Sequence, residues 1–311
     1  MLKVFKTNSV DKKIKKVKKI TVDCWMELTT PTNDEIDKVV AKTLVDTDLI
    51  TKMLDVEELP RIERSGNATL IVVDTPYLDE DHQYTTIPLG IIITDNNYVI
   101  TVSPKRTTIL NAFKQDKVKH FRTAKKTRFL ILILLRTALA YLKALKKVNR
   151  AIEQKEEELK KSTKNKDLVD MLEIEKTLVY FMTSLKSNDV VLGKLSKGNI
   201  LPLYENDGEL LEDAIIEYKQ AMEMTTIYKG ILLSIKDTYS TVVSNNLNIA
   251  MKFLAAATIV LSIPTMISSF LGMNIDLGRI TKMDNAFPLI IIISLVTSLL
   301  VAILLKKKDM F

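Results

Sequence analysis

Four hydroxyl side chains recur with helical spacing in an apolar run late in the chain: Thr258, Ser262, Thr265 and Ser269. Intervals of four, three and four residues place them on one face of an α-helix. Such a stripe can line a narrow, water-filled path for ions. Hydroxyls in apolar helices also support helix packing or bond back to carbonyls of their own helix. The spacing alone therefore leaves conduction and packing as alternatives.

Other residues that could do chemistry are not arranged for catalysis. His82 and His120 show no metal-ligand spacing, so we expect each of them to be a surface residue rather than a ligand. The sequence contains no phosphate-binding glycine loop and no nucleophile motif of the GxSxG type. Cys24 lies beside Trp25 in a strand-like run, which predicts a packed thiol. We therefore expect that the protein is not an enzyme.

The charge of the chain is moderately positive. Of its 311 residues 27% are charged, and the net charge is +7. The lysines are interspersed with acids and no RNA-recognition motif is present, so we expect no nucleic-acid partner. Attraction to the anionic inner leaflet of a membrane explains the positive charge more simply. The single cysteine excludes an internal disulfide and fits a reducing compartment.

Two long uncharged runs predict membrane helices. Residues 253–271 and 286–305 contain 19 and 20 residues without a charge, and about 20 helical residues cross a bilayer core. A buried helix of a soluble domain is the alternative, but such helices rarely stay uncharged on every face. The outer loop at 272–285 is too short for a domain, so the two helices must form a hairpin. The lipid bilayer is therefore an expected partner.

Basic residues around these runs predict the orientation of the hairpin. Lys252 precedes the first run. A basic tail at 306–311 follows the second run and begins with Lys306, Lys307 and Lys308. Positively charged residues favour the cytoplasmic side of a membrane. We therefore expect a multi-pass protein of the cytoplasmic membrane with both termini in the cytoplasm.

The apolar segment that begins at Phe129 is not counted as a third span. Its uncharged stretch before Arg136 has only seven residues, and Lys143 follows. Charges at these positions would lie in or near the bilayer interior, which is costly. We therefore expect a buried helix of the soluble domain.

Residues 1–200 are predicted to form a cytosolic α/β/α domain. Strand-like runs dominate residues 1–115, namely "ITVDCWMEL", "ATLIVVDTPYL", "YTTIPLGIII" and "NYVITVS". A turn at 94–96 predicts a hairpin between the last two runs, and Thr30 or Thr32 is expected to cap a helix. Residues 116–200 are predicted to be helical. Within them the charged, periodic segment 151–197 predicts an exposed antiparallel helix pair.

A long helix is predicted after this domain. Residues 209–271 contain one glycine and one proline, and apolar residues recur with helical spacing from Leu211 onward. A helix over this range would be about 95 Å long, and it would include a cytosolic stalk at 201–252. One small domain cannot stabilise such a helix, so it needs partner helices in a bundle or a symmetric oligomer.

A short motif follows the first membrane run. Gly272, Met273 and Asn274 come directly after it, and a second apolar run with a terminal lysine cluster comes next. This arrangement resembles the CorA family of magnesium channels, and the likeness extends through Asn248 and Pro264 to nearly the whole chain. The resemblance implies a homopentameric funnel. Each subunit would have an α/β cytosolic domain and a long stalk helix that continues into a two-helix transmembrane hairpin.

Two features depart from the family pattern. Leu271 stands where the family usually has a tyrosine. The outer loop at 272–285 is balanced in charge, whereas the family often has an acidic stretch there. The second departure weakens any role for loop acids in concentrating cations.

The resemblance implies a selectivity filter at Gly272, Met273 and Asn274. Five copies of Asn274 would offer neutral amide oxygens to the waters of a hydrated Mg²⁺, which gives up its water reluctantly. A neutral ring would also bind weakly enough for the ion to leave. Gly272 would allow a sharp turn, and Met273 would pack behind it.

Below the filter, the implied pore follows the first membrane helix. Its lining residues would be Asn248, Met251, Leu254, Thr258, Ser262, Thr265 and Ser269. Met251 and Leu254 would form a hydrophobic constriction that gates by dewetting. A basic ring would lie at the cytoplasmic end, formed by Lys252, Lys306, Lys307 and Lys308.

The family also implies control by cytosolic Mg²⁺ bound between subunits. Asp213 on the stalk helix is the candidate ligand, with Asp79 of the neighbouring α/β domain as its expected partner. Bound ions would hold a closed symmetric state, and their loss would let the subunits separate. Mg²⁺ is thus expected as both the transported and the regulatory ion. The alternative for Asp213 is an ordinary solvated charge.

Two other functions stay open. A related transporter of Zn²⁺, Co²⁺ or Ni²⁺ would have the same architecture, although the lack of His and Cys along the predicted path argues mildly against soft metals. A membrane-anchored scaffold or sensor that conducts nothing is the second alternative. It would need neither the polar stripe nor Asn274 at the mouth.

Overall fold

The computed structural model describes residues 1–8, 13–161, 165–198, 200–273 and 285–308. The chain divides into two compact units, Met1–Ser234 and Ile235–Phe311. The strands of the described chain all lie in the first unit, and the last of them ends at Ser103. The elements described after Ser103 are helices, which confirms the predicted order of an α/β part followed by a helical part.

A seven-stranded sheet forms the centre of the first unit, in the order β2-β1-β3-β7-β6-β5-β4. Its strands are β1 Leu2–Thr7, β2 Ile14–Val17, β3 Trp25–Thr29, β4 Arg61–Ser65, β5 Ala68–Leu78, β6 Tyr84–Thr94 and β7 Val99–Ser103. Strands β3 and β7 pair in parallel, and the other neighbours pair antiparallel. The predicted hairpin between β6 and β7 is confirmed, with Thr94 N donating to Tyr98 O at 3.0 Å.

Helices α1 (Asn33–Thr43) and α2 (Thr47–Thr51) and a 3-10 turn (Lys52–Leu54) share a core with one face of the sheet. Side chains alternate between the faces of a strand, and Leu70 and Val72 of β5 belong to this core. Gly90 of β6 permits the close packing, because a Cβ there would lie 2.5 Å from Met53 Cγ. Of the two candidate cap residues, Thr32 is the N-cap of α1.

Aromatic side chains pack on the other face of β3. The Trp25 ring lies edge-on to Phe113 of α3 (Asn111–Lys114) and to Phe129 of α4 (Lys126–Lys161), with centroid distances of 6.4 Å and 5.2 Å. Trp25 Nε1 donates to Thr101 Oγ1 at 2.9 Å, so the indole is satisfied inside the core. Cys24 is fully buried, as predicted. The apolar segment from Phe129 is a buried helix, which confirms that it is not a membrane span.

Helix α5 (Asn165–Ser196) packs beside α4 and against β5 and β6. Lys155 Nζ of α4 lies 2.6 Å from Asp170 Oδ2 of α5. A pair of helices is present, but its first helix begins at Lys126 and not within the predicted range 151–197, and the prediction that the pair is exposed was wrong. Met171 and Phe181 of α5 are fully buried, because one side of this helix covers the sheet while its charged residues face outward.

Helix α6 runs continuously from Glu205 to Leu271 over 67 residues, which confirms the predicted long helix. Helix α7 covers Ala286–Lys307. Within the described residues, α6 and α7 are the two helices that are long and apolar enough to cross a membrane. Only 6% and 11% of their most apolar stretches are buried in the chain. These stretches are therefore not core helices of the single chain.

Candidate ion-conduction site

We use the name hydroxyl stripe for the face of α6 that carries Thr258, Ser262, Thr265 and Ser269. All four residues are exposed in the single chain. In the same segment Ala256 is buried, and the residues of intermediate exposure are Ala257, Val260, Ile263, Pro264, Ile267 and Leu271. At about 100° per residue they lie on the opposite side of the helix. The hydroxyl stripe is thus on the side of α6 that packing within the chain leaves open.

A shallow groove of about 640 Å³ follows the hydroxyl stripe. Leu261, Met266, Phe270 and Met273 line it together with the hydroxyl residues. The side chains of Leu261 and Phe270 are large and apolar, yet they are 71% and 61% exposed. A contiguous apolar surface of this kind is typical of a face that contacts lipid or another protein chain.

Three hydroxyl groups of the stripe donate to carbonyls of their own helix. Thr258 Oγ1 donates to Leu254 O and Ser262 Oγ to Ile259 O, both at 2.8 Å, and Thr265 Oγ1 donates to Leu261 O at 3.3 Å. The alternative that these groups bond back to the helix is therefore confirmed. A hydroxyl that donates its proton keeps lone pairs that accept hydrogen bonds. Water bound to a cation points its hydrogens outward, so this arrangement suits contact with a hydrated ion.

The N-terminal continuation of this face is also exposed. Asn248, Met251 and Leu254, which lie near this face, are all exposed in the single chain. Met251 and Leu254 are 58% and 61% exposed, and they lie three residues apart at the start of the apolar segment. The described chain does not cover these apolar side chains itself.

Gly272 and Met273 follow the end of α6, and Asn274 lies outside the described residues. Gly272 N donates to Ser268 O at 3.0 Å, and Met273 N donates to Phe270 O at 3.4 Å. A Cβ added at Gly272 would lie 3.4 Å from Ser268 O, which is an ordinary contact distance. The described backbone would therefore accept an alanine at this position.

The residues of the predicted basic ring lie on two helices. Lys252 is on α6, Lys306 and Lys307 form the last turn of α7, and Lys308 is its C-cap. All four are exposed. Cations in the last turn stabilise a helix through its dipole, so the three C-terminal lysines also have a local structural role.

The two predicted regulatory carboxylates are both in the first unit. Asp213 is exposed on α6. Asp79 lies in the turn between β5 and β6, where its Oδ1 accepts a hydrogen bond from Gln83 N at 2.7 Å. Among the described residues, no group of three or more His, Cys, Asp or Glu side chains is placed to hold a metal. His82 and His120 are exposed, as predicted.

Sequence reasoning missed a polar network between the sheet and the helices. Asp74 of β5 accepts a hydrogen bond from Ser184 Oγ at its Oδ2, at 2.7 Å. The Asp74 carbonyl accepts from Asn188 Nδ2 at 2.8 Å and from Tyr141 OH at 3.2 Å. Burial raises the pKa of the Asp74 carboxyl, and the hydrogen bond from Ser184 opposes this shift. The sequence feature that could have indicated this network is Asp74, the single acid inside the apolar run "ATLIVVDTPYL".

Helix α6 contributes a buried tyrosine to the same region. Tyr218 is fully buried, and burial raises the pKa of its phenol, with a smaller rise from the charge of Asp74. Burial likewise raises the pKa of Tyr141 well above its ordinary value. The long helix is therefore anchored to the α/β domain by packing around these rings.

An α/β domain followed by two helices that are long and apolar enough to cross a membrane is consistent with a two-span membrane protein. A family model described as CorA-like Mg²⁺ transporter protein matches residues 23–307. The chain therefore belongs to the CorA family.

Known relatives support this assignment over nearly the whole chain. The cobalt/magnesium transport protein CorA of Methanocaldococcus jannaschii is 26% identical over 287 residues, covering 91% of this chain and 90% of the relative. The complete structure of the CorA magnesium transporter from the same organism has a TM-score of 0.87 at 23% identity, covering 98% and 96% of the two chains. Full-length CmaX has a TM-score of 0.74 at 11% identity, covering 98% and 97%. At these identities the two structures show the shared fold.

Proposed function

We propose that this chain forms a homopentameric channel that carries Mg²⁺ across the cytoplasmic membrane into the cell. The observation that carries the proposal is the hydroxyl stripe on the open side of α6, opposite the side covered within the chain. Membership of the CorA family supports the ion, since the family description and the archaeal relative both name magnesium. Both termini would lie in the cytoplasm, as the basic residues that flank the apolar segments favour.

The proposed pore is formed where the stripes of five copies of α6 face one another. The back-bonded hydroxyls of Thr258, Ser262 and Thr265 present acceptor oxygens to the lumen. A hydrated Mg²⁺ can hydrogen-bond to these oxygens through its own waters and does not have to lose them. The apolar α7, whose long side chains are mostly exposed in the single chain, faces lipid.

Asn274 forms the proposed filter, with Gly272 and Met273 beside it at the end of α6. Five neutral amide oxygens select a hydrated divalent ion by hydrogen bonding without the tight binding of a carboxylate ring. Conduction requires such weak binding, because an ion that binds tightly leaves slowly.

Met251 and Leu254 form the proposed gate. Both side chains are more than half exposed in the single chain, so a ring of five copies can bring them together. Such a ring excludes water because its walls offer no hydrogen bonds, and a hydrated ion then meets a desolvation barrier. Lys252 and the lysines at 306–308 form a basic ring near this level.

Cytosolic Mg²⁺ bound between subunits is the proposed regulator. Asp213 is exposed on α6 and therefore available to a neighbouring subunit. Asp79 keeps a second carboxylate oxygen for a metal while its Oδ1 accepts from Gln83 N. Loss of the bound ions leaves the carboxylates of adjacent subunits to repel one another, which favours an open state.

The experiment is ion flux into liposomes that contain the purified full chain and an enclosed magnesium-sensitive dye. We expect Mg²⁺ to enter down its gradient, and empty liposomes serve as the control. Co²⁺, Ni²⁺ and Zn²⁺ are measured in parallel with suitable dyes, because the relative is named for cobalt as well as magnesium. Entry of another divalent ion without entry of Mg²⁺ would contradict Mg²⁺ as the transported ion and would identify the other ion in its place. No flux of any of these ions from a well-folded oligomer would favour a non-conducting scaffold.

A further inference from the structure

A cavity of about 990 Å³ lies in the first unit. Its walls come from the start of α4, the turn between β6 and β7, and the segment at 200–207 that leads into α6. Sites for cofactors and other small ligands usually measure about 300–1,000 Å³. The cavity is therefore large enough for an organic ligand.

Positive charge dominates the lining of this cavity. Its charged residues are Arg64, Lys125, Lys126, Arg128, Asp95 and Asp207. Each acid pairs with one arginine, Asp95 with Arg64 at 3.4 Å and Asp207 with Arg128 at 3.1 Å. Lys126 Nζ donates to the carbonyl of Thr94 at 2.9 Å, a neutral acceptor. Lys125 is exposed and makes no ion pair with a described residue. Two positive charges thus remain without a compensating carboxylate.

Backbone and buried donors add to this charge. The first hydrogen bond of α4 runs from Phe129 N to Lys125 O at 2.9 Å. The backbone N–H groups of Lys126, Thr127 and Arg128 therefore have no acceptor within the helix. All three residues line the cavity. Arg128 Nε is buried and has no hydrogen-bond partner among the described residues. A helix N-terminus and cationic side chains therefore line one space.

The positive surface continues into an adjoining hollow of about 520 Å³. The two spaces share Lys125 and Arg128, and Arg122 adds a further exposed cation. Tyr204, an exposed aromatic residue, stands at the edge of the larger cavity. Phosphate groups are the anions that helix N-termini and arginine forks bind best, and an aromatic face can stack a base.

We propose that this cavity binds a phosphate-bearing anion of the size of a nucleoside triphosphate. The phosphates lie against Lys125, Arg128 and the first turn of α4, and an attached base contacts Tyr204. Arg128 also pairs with Asp207 in the first turns of α6, so the ligand binds beside the start of the long helix. The binding claim is independent of the proposed conduction and can be tested without it.

The test is equilibrium dialysis of the full chain in detergent against ATP and, separately, inorganic tripolyphosphate. EDTA is present, so that the ligand keeps its full negative charge. We expect saturable binding that weakens as the salt concentration rises, since the contacts are charged. Equal affinity for both probes means that the phosphates suffice, and tighter binding of ATP means that the base contributes. Either result supports the site.

Lys125→Gln is the test variant, and Lys146→Gln is its matched control. Lys146 is an exposed lysine of α4, the helix that Lys125 precedes, and it lies outside the cavity lining. We expect Lys125→Gln to weaken binding by about tenfold, as loss of a charge-assisted contact does, while Lys146→Gln binds like the wild type. No saturable binding by the wild type, or equal effects of the two variants, would overturn the proposal. Both substitutions are at the surface, and circular dichroism checks their folding.

Discussion

The proposed filter residue, Asn274, differs in chemistry from the hydroxyl residues that line the rest of the proposed pore. The hydroxyls of Thr258, Ser262 and Thr265 already donate within their helix, so they offer acceptor oxygens to an ion's waters. An asparagine amide offers an acceptor oxygen on a longer side chain, which can turn toward an ion at the pore mouth. In the proposed pore, Asn274 therefore selects the ion, whereas the hydroxyl stripe provides a hydrated path.

Replacing Asn274 with alanine should abolish Mg²⁺ flux or its selectivity, because a methyl group cannot accept hydrogen bonds from the ion's waters. The measurement is dye-reported flux of Mg²⁺ and Co²⁺ into liposomes. Asn285→Ala is the matched control, since Asn285 is the N-cap of α7 and its side chain accepts no cap hydrogen bond. Wild-type flux and selectivity in a well-folded Asn274→Ala protein would contradict the filter assignment.

Asp74→Asn should stabilise the protein at neutral pH. Burial raises the pKa of Asp74 above its ordinary value of 3.8, so the folded chain holds this proton more tightly than the unfolded chain. The free energy of unfolding of the wild type should therefore fall as pH rises from 3.8 through the raised pKa. Asparagine carries no charge and can still accept from Ser184.

Thermal unfolding in detergent measures this effect across the acidic to neutral range. We expect the melting temperature of Asp74→Asn to exceed that of the wild type near neutral pH by about 2–4 °C for each kcal/mol gained. The difference should vanish below the ordinary pKa. Asp95→Asn, at an exposed carboxylate, is the control. A difference that does not change with pH would show that charge burial is not the cause.

At the scale of elements, the apolar and alternating runs could be predicted from the sequence. The runs that contain β3, β5, β6 and β7 and the two apolar segments of α6 and α7 carry enough periodic hydrophobic signal. Strands β1, β2 and β4 did not stand out, because lysines, arginines and glutamate interrupt "LKVFKT", "IKKV" and "RIERS". Such charges suit strands at or near the edges of a sheet.

The tertiary contacts of α5 could not be predicted from its own pattern. Its charges suggested an exposed helix, yet Asn188 and Ser184 bond to a strand residue more than 100 positions earlier. The pairing depends on the order of strands in the sheet, which local periodicity does not contain. The candidate pore face was predictable, because its residues all belong to one helix and need only the helical period.

The N-terminal end of the apolar segment of α6 should contain the gate. Replacing Leu254 with Asn should wet the proposed ring and raise Mg²⁺ flux when the internal Mg²⁺ concentration is high and the wild type is closed. Ile249→Asn is the control, because Ile249 is an equally exposed apolar residue of the same helix on a different face. A stable Leu254→Asn protein that stays as closed as the wild type would place the constriction elsewhere.

At the scale of the whole molecule, Mg²⁺ should join neighbouring subunits. Millimolar Mg²⁺ should slow proteolysis of the soluble domain, and Asp213→Ala should weaken this protection because a ligand between subunits is lost. Glu223→Ala, at another exposed acid of α6, should keep it. The measurement is the rate of limited digestion of the full chain in detergent. Identical digestion rates with and without Mg²⁺ would contradict the proposed regulatory site.

The central claim is that no single chain conducts, because the pore exists only where several copies of α6 face one another. Light scattering of the purified protein, corrected for bound detergent, measures the protein mass of the particle directly. The account predicts a mass five times that of the 35.3 kDa chain. A monomer or a dimer that still carries Mg²⁺ in liposomes would contradict a pore lined by the hydroxyl stripes of five subunits.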